Sequence, residues 1–192
     1  MIGEPDPGLC GFASATGFRC AEALGLDASR ELGDGFDGRA YALDGPGERV
    51  LKLSRRPGEA ALAALLLAEG VAGHPVPGFP EILAVARLDA EGVHGPLWAI
   101  VREPVAPLSP DQASAVAGPD LTALSAGLAR LRDRHGLAAP DLARSAFGKT
   151  RDGRLVLRDF GRVSGPPAVI GRLLDGLPPP VPVPIETLAP TP

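Results

Sequence analysis

The segment "GDGFDG" at residues 33–38 constrains this chain most, because of what stands on either side of it. Three glycines at that spacing serve two unrelated phosphate-binding designs. The dinucleotide fingerprint needs a strand before the glycines and a helix opening at the third. Here Gly38 runs directly into "RAYALDGPGERVLKLS". Ala40 and Ala42 alternate with Tyr41 and Leu43, and "DGPGE" is a strong hairpin turn signal. The strand-to-helix design therefore fits poorly. The pattern predicts instead a glycine-rich hairpin over 30–43 carrying Gly33, Gly35 and Gly38, then a third strand over 49–53. Such a hairpin offers backbone N–H groups to phosphate oxygens but no mobile cation. Lys52 supplies one on the third strand, and it is the only lysine before Lys149. Taken alone, Lys52 fits equally a solvated lysine on an edge strand of an ordinary α+β domain.

The remaining pattern predicts a helix over 57–69, with Pro57 in its first turn and Gly70 at its end. The loop "GHPVPGFPE" follows, then strands over 82–88 and 96–105. Three strands, a helix and two strands thus occupy residues 30–105. A Ser109 cap with Pro110 behind it opens a helix at 109–116. Leu121, Leu124, Leu128 and Leu131 mark a longer amphipathic helix. Short apolar runs flank "RDGR" at 151–154, and "PPAVIGRLLDG" allows a last helix. Residues 1–29 read as a leader with one short helix over 17–26. Residues 177–192 hold seven prolines and read as an extended, disordered tail dispensable for folding.

Composition narrows the function classes. A net charge of -4 gives no electrostatic footprint for nucleic acid or for an anionic membrane. The longest apolar run, "AALAALLLA", is too short to span a bilayer, and the acidic N-terminus lacks a signal-peptide core. A cytoplasmic protein is expected. Cys10 and Cys20 make neither a disulfide framework nor a structural zinc site. His74, His94 and His135 have no partner at metal spacing and read as structural.

In order along the chain, the glycine hairpin, "VLKL", the following helix, "AIVREPV" and "LVLRDFG" resemble the protein kinase superfamily over roughly residues 30–162, closest to small bacterial and phage kinase-like proteins. The resemblance implies an α+β fold: a five-stranded antiparallel N-lobe sheet with one helix (30–105) and a reduced, mainly helical C-lobe (106–176). It implies ATP and Mg2+ as ligands, with Gly33, Gly35 and Gly38 over the phosphates and Lys52 on them. Asp159 of the Asp-Phe-Gly tripeptide would hold the metal. Asp141 of "PDLARSAFG" takes the place of the catalytic aspartate that accepts the substrate proton. Glu103 falls where the chain crosses between lobes, and the backbone of 101–103 would meet the adenine edge. Glu59 or Glu69 would pair with Lys52; Glu59 better follows the family's helix pattern.

Two departures bear on activity. The asparagine that binds a magnesium ion in the family corresponds to Ala146, which has no oxygen ligand in its side chain. Only 31 residues follow Gly161, too few for the activation segment and the helices of a full C-lobe. The expectations are therefore a phosphotransferase acting on an unidentified acceptor, or a pseudokinase that binds nucleotide or a protein partner without catalysis.

Overall fold

The computed structural model describes residues 12–35, 38–45, 47–90, 93, 95–116, 118–139 and 146–184. Helix α1 (Ser14–Ala23) precedes three strands, β1 (Ala28–Gly35), β2 (Gly38–Leu43) and β3 (Arg49–Ser54). Helix α2 (Pro57–Val71) follows, then β4 (Ile82–Ala90) and β5 (Leu97–Arg102). After β6 (Ala106–Pro107) come helices α3 (Pro110–Ala115) and α4 (Gly118–His135). Strands β7 (Phe147–Lys149) and β8 (Leu155–Leu157), helix α5 (Pro167–Asp175) and β9 (Val181–Val183) complete the order.

The main sheet runs β1-β2-β3-β5-β4-β9, antiparallel except for β4 with β9, which are parallel. The expected five-stranded antiparallel sheet is thus a six-stranded mixed one. The sixth strand comes from the segment expected to be a disordered tail. Val181 and Val183 alternate about Pro182 as edge-strand residues do, and Leu88, Asp89 and Ala90 pair with them in register. An edge position tolerates the missing proline donor. Residues 185–192 lie outside the described residues.

Both faces of the sheet are covered. On one, α1 contributes Cys20 and Ala21 to a cluster with Tyr41, Leu51, Leu97 and Val183. Residues 12–23, within the segment read as a leader, therefore belong to the sheet's core, with Phe12 7% exposed. On the other face, Leu62 and Leu66 of α2 meet Val85, Ile100, Leu131 of α4 and Leu157 of β8 in a second cluster. Of the four leucines expected on the inner face of α4, Leu124 and Leu131 are buried, whereas Leu121 is exposed. The C-terminal part is not helices alone. Strands β6, β7 and β8 form a small antiparallel sheet that leads directly into Asp159. No helix among the described residues is long and apolar enough to cross a membrane.

Candidate functional site

The β1–β2 hairpin closes over the edge of the sheet, with Gly35 opposite Gly38 and Asp34 opposite Arg39. Gly38 has φ of +149°, and a Cβ there would lie 1.8 Å from the carbonyl oxygen of Leu53. Only glycine permits that approach of β2 to β3. Arg39 pairs with Glu31 at 2.7 Å and Asp34 at 3.0 Å, fixing the hairpin from its outer side.

Beneath it, Lys52 projects from β3. Its Nζ donates to Glu59 Oε1 at 2.6 Å and to Asp159 Oδ1 at 3.2 Å. Glu59 sits in the first turn of α2, where a carboxylate suits the helix dipole. Its side chain is 1% exposed, and its second oxygen accepts from Ser54 Oγ at 2.6 Å. Both carboxylate oxygens are thus satisfied by residues of β3. Glu69 does not compete for Lys52; it pairs with Arg130 and lies 3.5 Å from His135 Nε2 on α4. Burial opposes the charge on Lys52, but the carboxylates of Glu59 and Asp159 outweigh it and hold the ammonium above its ordinary pKa. Asp159 follows two residues after β8, and its Oδ1 also accepts from the Gly161 N–H at 3.3 Å. Burial raises its carboxyl pKa, and the Lys52 charge and the Gly161 N–H more than reverse that, leaving it below the ordinary carboxylate value. Asp159 Oδ2 accepts no hydrogen bond among the described residues.

These groups open onto a cavity of about 580 Å³. Gly33 and Gly38 form its roof, and Lys52 and Asp159 its charged end. Leu32, Ala40, Val50 and Val105 are its apolar walls. Arg102, Arg158 and Arg162 also line it, beside the carboxylates of Asp34 and Asp159. Phosphate oxygens fit next to the Lys52 ammonium. Magnesium fits Asp159, because that ion takes one or two carboxylates and completes its shell with phosphate oxygens and water.

Of the residues expected from sequence, Glu59 holds Lys52, Gly35 pairs with Gly38 in the hairpin, and Gly33, Gly38, Lys52 and Asp159 line this cavity. Glu103 does not. Its carboxylate is clamped by Arg154 Nη2 at 2.9 and 3.0 Å and by the Glu81 N–H at 2.7 Å. The backbone of 101–103, expected to meet an adenine edge, is partly engaged. Val101 and Arg102 are paired to strands on both sides, and the Glu103 N–H donates to the Glu81 carbonyl at 3.1 Å. Asp141 lies outside the described residues. Ala146 is 6% exposed within the core, and its carbonyl accepts from the N–H groups of Arg158 and Asp159 at 2.7 and 3.1 Å.

Sequence reasoning missed Ser54, Arg102, Arg158 and Arg162. Arg102 had a signal: a charge closing the otherwise apolar strand "LWAIVR". Ser54 had one too, since its strand position faces the same way as Lys52. Comparison with known proteins finds no matching family model and no curated protein of significant similarity.

Proposed function

We propose that this chain is a kinase-like protein that binds a nucleoside triphosphate with Mg2+, the phosphates lying between the β1–β2 hairpin and Lys52. The observation that carries this reading is the position of Lys52, held by buried Glu59 on one side and reaching Asp159 on the other. Glu59 keeps the ammonium charged and aimed at the cavity. Lys52 neutralises phosphate oxygens, and Asp159 offers Oδ2 to the metal, which would screen the terminal phosphate groups. ATP is the nucleotide that the resemblance to kinases implies. In a transfer reaction the terminal phosphoryl group would pass to an acceptor hydroxyl as its bond to the departing nucleoside diphosphate breaks, and the hydroxyl proton would go to Asp141.

Calorimetric titration of ATP and GTP, with and without Mg2+, tests the reading. A lost charge-assisted contact costs about 1.5–3 kcal/mol, so Lys52→Ala should weaken binding tenfold or more. Lys149→Ala should leave it within twofold. No binding of either nucleotide at millimolar concentration, or equal losses in both variants, would overturn it.

A second reading, nucleotide binding without transfer, is favoured by Ala146. Its methyl group packs in the core, so this position supplies no metal ligand. Triphosphate turnover abolished by Asp159→Ala would establish the phosphotransferase; binding without turnover would establish the pseudokinase.

A further inference from the structure

Arg102 ends β5 with an unusual environment. The register pairs Val50 with Arg102 and Lys52 with Ile100, so strand alternation turns Arg102 to the same face as Lys52. It lines the cavity and is 7% exposed. Its Nε and Nη1 are buried without a hydrogen-bond partner among the described residues. The neighbouring carboxylates do not serve it. Glu59 is satisfied by Lys52 and Ser54, Asp159 Oδ1 by Lys52 and Gly161, and Glu103 by Arg154 and the Glu81 N–H. A buried guanidinium with unmet donors is costly, and turning toward an acceptor on a ligand in the cavity would relieve that cost.

The surroundings specify which acceptor. Leu32, Ala40, Val50 and Val105 give the cavity apolar walls suited to a flat ring. The strand backbone at 101–102 is engaged in the ladder, and the Glu103 N–H is taken by the Glu81 carbonyl. A ring edge at Arg102 would meet a side chain that only donates. Guanine and hypoxanthine present two acceptors, O6 and N7, along one edge. Adenine presents N7 beside the N6 amino group, a donor facing a donor.

We propose that the site selects a 6-oxopurine nucleotide over ATP, with Arg102 donating to the base edge. This inference rests on the nucleotide-binding reading above and adds the identity of the base. The test is calorimetric titration of the full chain, with Mg2+, by GTP, ITP, ATP and inorganic tripolyphosphate. GTP and ITP are expected to bind about tenfold or more tightly than ATP, the discrimination a good bidentate contact gives. ITP is the informative probe, because it differs from ATP in the groups on the edge facing Arg102 and lacks the guanine 2-amino group. Arg102→Gln should reverse the order, since an amide both donates to N7 and accepts from N6. If that variant does not fold, the wild-type order of ITP and ATP decides alone. ATP binding as tightly as ITP, or tripolyphosphate binding as tightly as GTP, would overturn the inference. If ATP and GTP bind equally and Lys52→Ala weakens both, the base assignment falls while the phosphate site stands. If no nucleotide binds, both fall.

Discussion

Ser54 and Lys52, two residues apart on β3, each hold one oxygen of the same buried carboxylate, that of Glu59. The helix N-terminus behind Glu59 adds a favourable field. The lysine is thereby positioned by a group that cannot swing away. Truncating Ser54 to alanine leaves Glu59 Oε2 without its donor in a water-poor setting. The expected cost is about 1–3 kcal/mol, which for a chain of this size is a fall of several degrees in Tm. Ser29→Ala, which removes an exposed 3.4 Å hydrogen bond, serves as the control and should shift Tm by about a degree or less. Equal Tm values for the two variants in a thermal scan would show that Glu59 does not need Ser54.

The contact between Lys52 and Asp159 links the two halves of the site to pH. The Asp159 carboxyl is held below its ordinary value of 3.8, so its contribution to stability is present above that pH and lost as pH falls through the depressed value. Lys52 is held above 10.5, so its contribution is present below that pH and lost as pH rises beyond it. The pair therefore stabilises across the neutral range and weakens only at the extremes. Lys52→Ala should raise the Asp159 carboxyl pKa, because burial then acts with less opposition. Carbon-detected NMR titration of that carboxyl measures the change. A midpoint that stays where it is in the wild type would mean that the ion pair does not form in solution.

Two glycines of the hairpin should behave differently on substitution. Gly38→Ala places a methyl group against the Leu53 carbonyl at positive φ, so β2 must move away from β3. Strain of about 1–3 kcal/mol is expected, together with weaker nucleotide binding. At Gly33 a Cβ meets nothing within 4 Å, and Gly33→Ala should leave Tm unchanged within about a degree. Paired thermal and binding measurements decide the point. A Gly38→Ala variant as stable as Gly33→Ala would show that the hairpin adapts.

Much of this architecture is legible in the sequence, and the reasons differ by element. Strands β1 to β3 declare themselves by alternation and by the "DGPGE" turn, because each shows one face to a core and the turn chemistry is local. Helix α2 is framed by Pro57 and Gly70, and the Lys52–Glu59 pair follows once a strand and a first helical turn are set end to end. At Glu103, where a backbone contact is expected, the N–H donates to the Glu81 carbonyl and the carboxylate meets Arg154, a partner 51 residues away that no local pattern reveals. Arg102 escaped notice for the opposite reason. In sequence it reads as the polar end of a strand, and only the register with Val50 turns it into the cavity. The tail misled because polyproline and a proline-containing edge strand share a composition and differ only in having a neighbour.

That last element yields the prediction that departs furthest from composition. Val183 is 2% exposed and packs with Leu88, Leu97 and Val101 on the face covered by α1. A chain stopped after Pro180 loses β9 and uncovers the edge of β4. Withdrawing one fully buried valine costs about 1.5–3 kcal/mol, and with the lost strand pairing a fall in Tm of at least about 4 °C is expected. Val183→Asp should reproduce most of that loss by placing a charge in the same apolar position. Pro182→Ser, at an exposed position, should not. Thermal scans of the three variants against the wild type separate the cases. If truncation leaves Tm unchanged, β9 does not add to the sheet in solution, and the core on that face is complete without it.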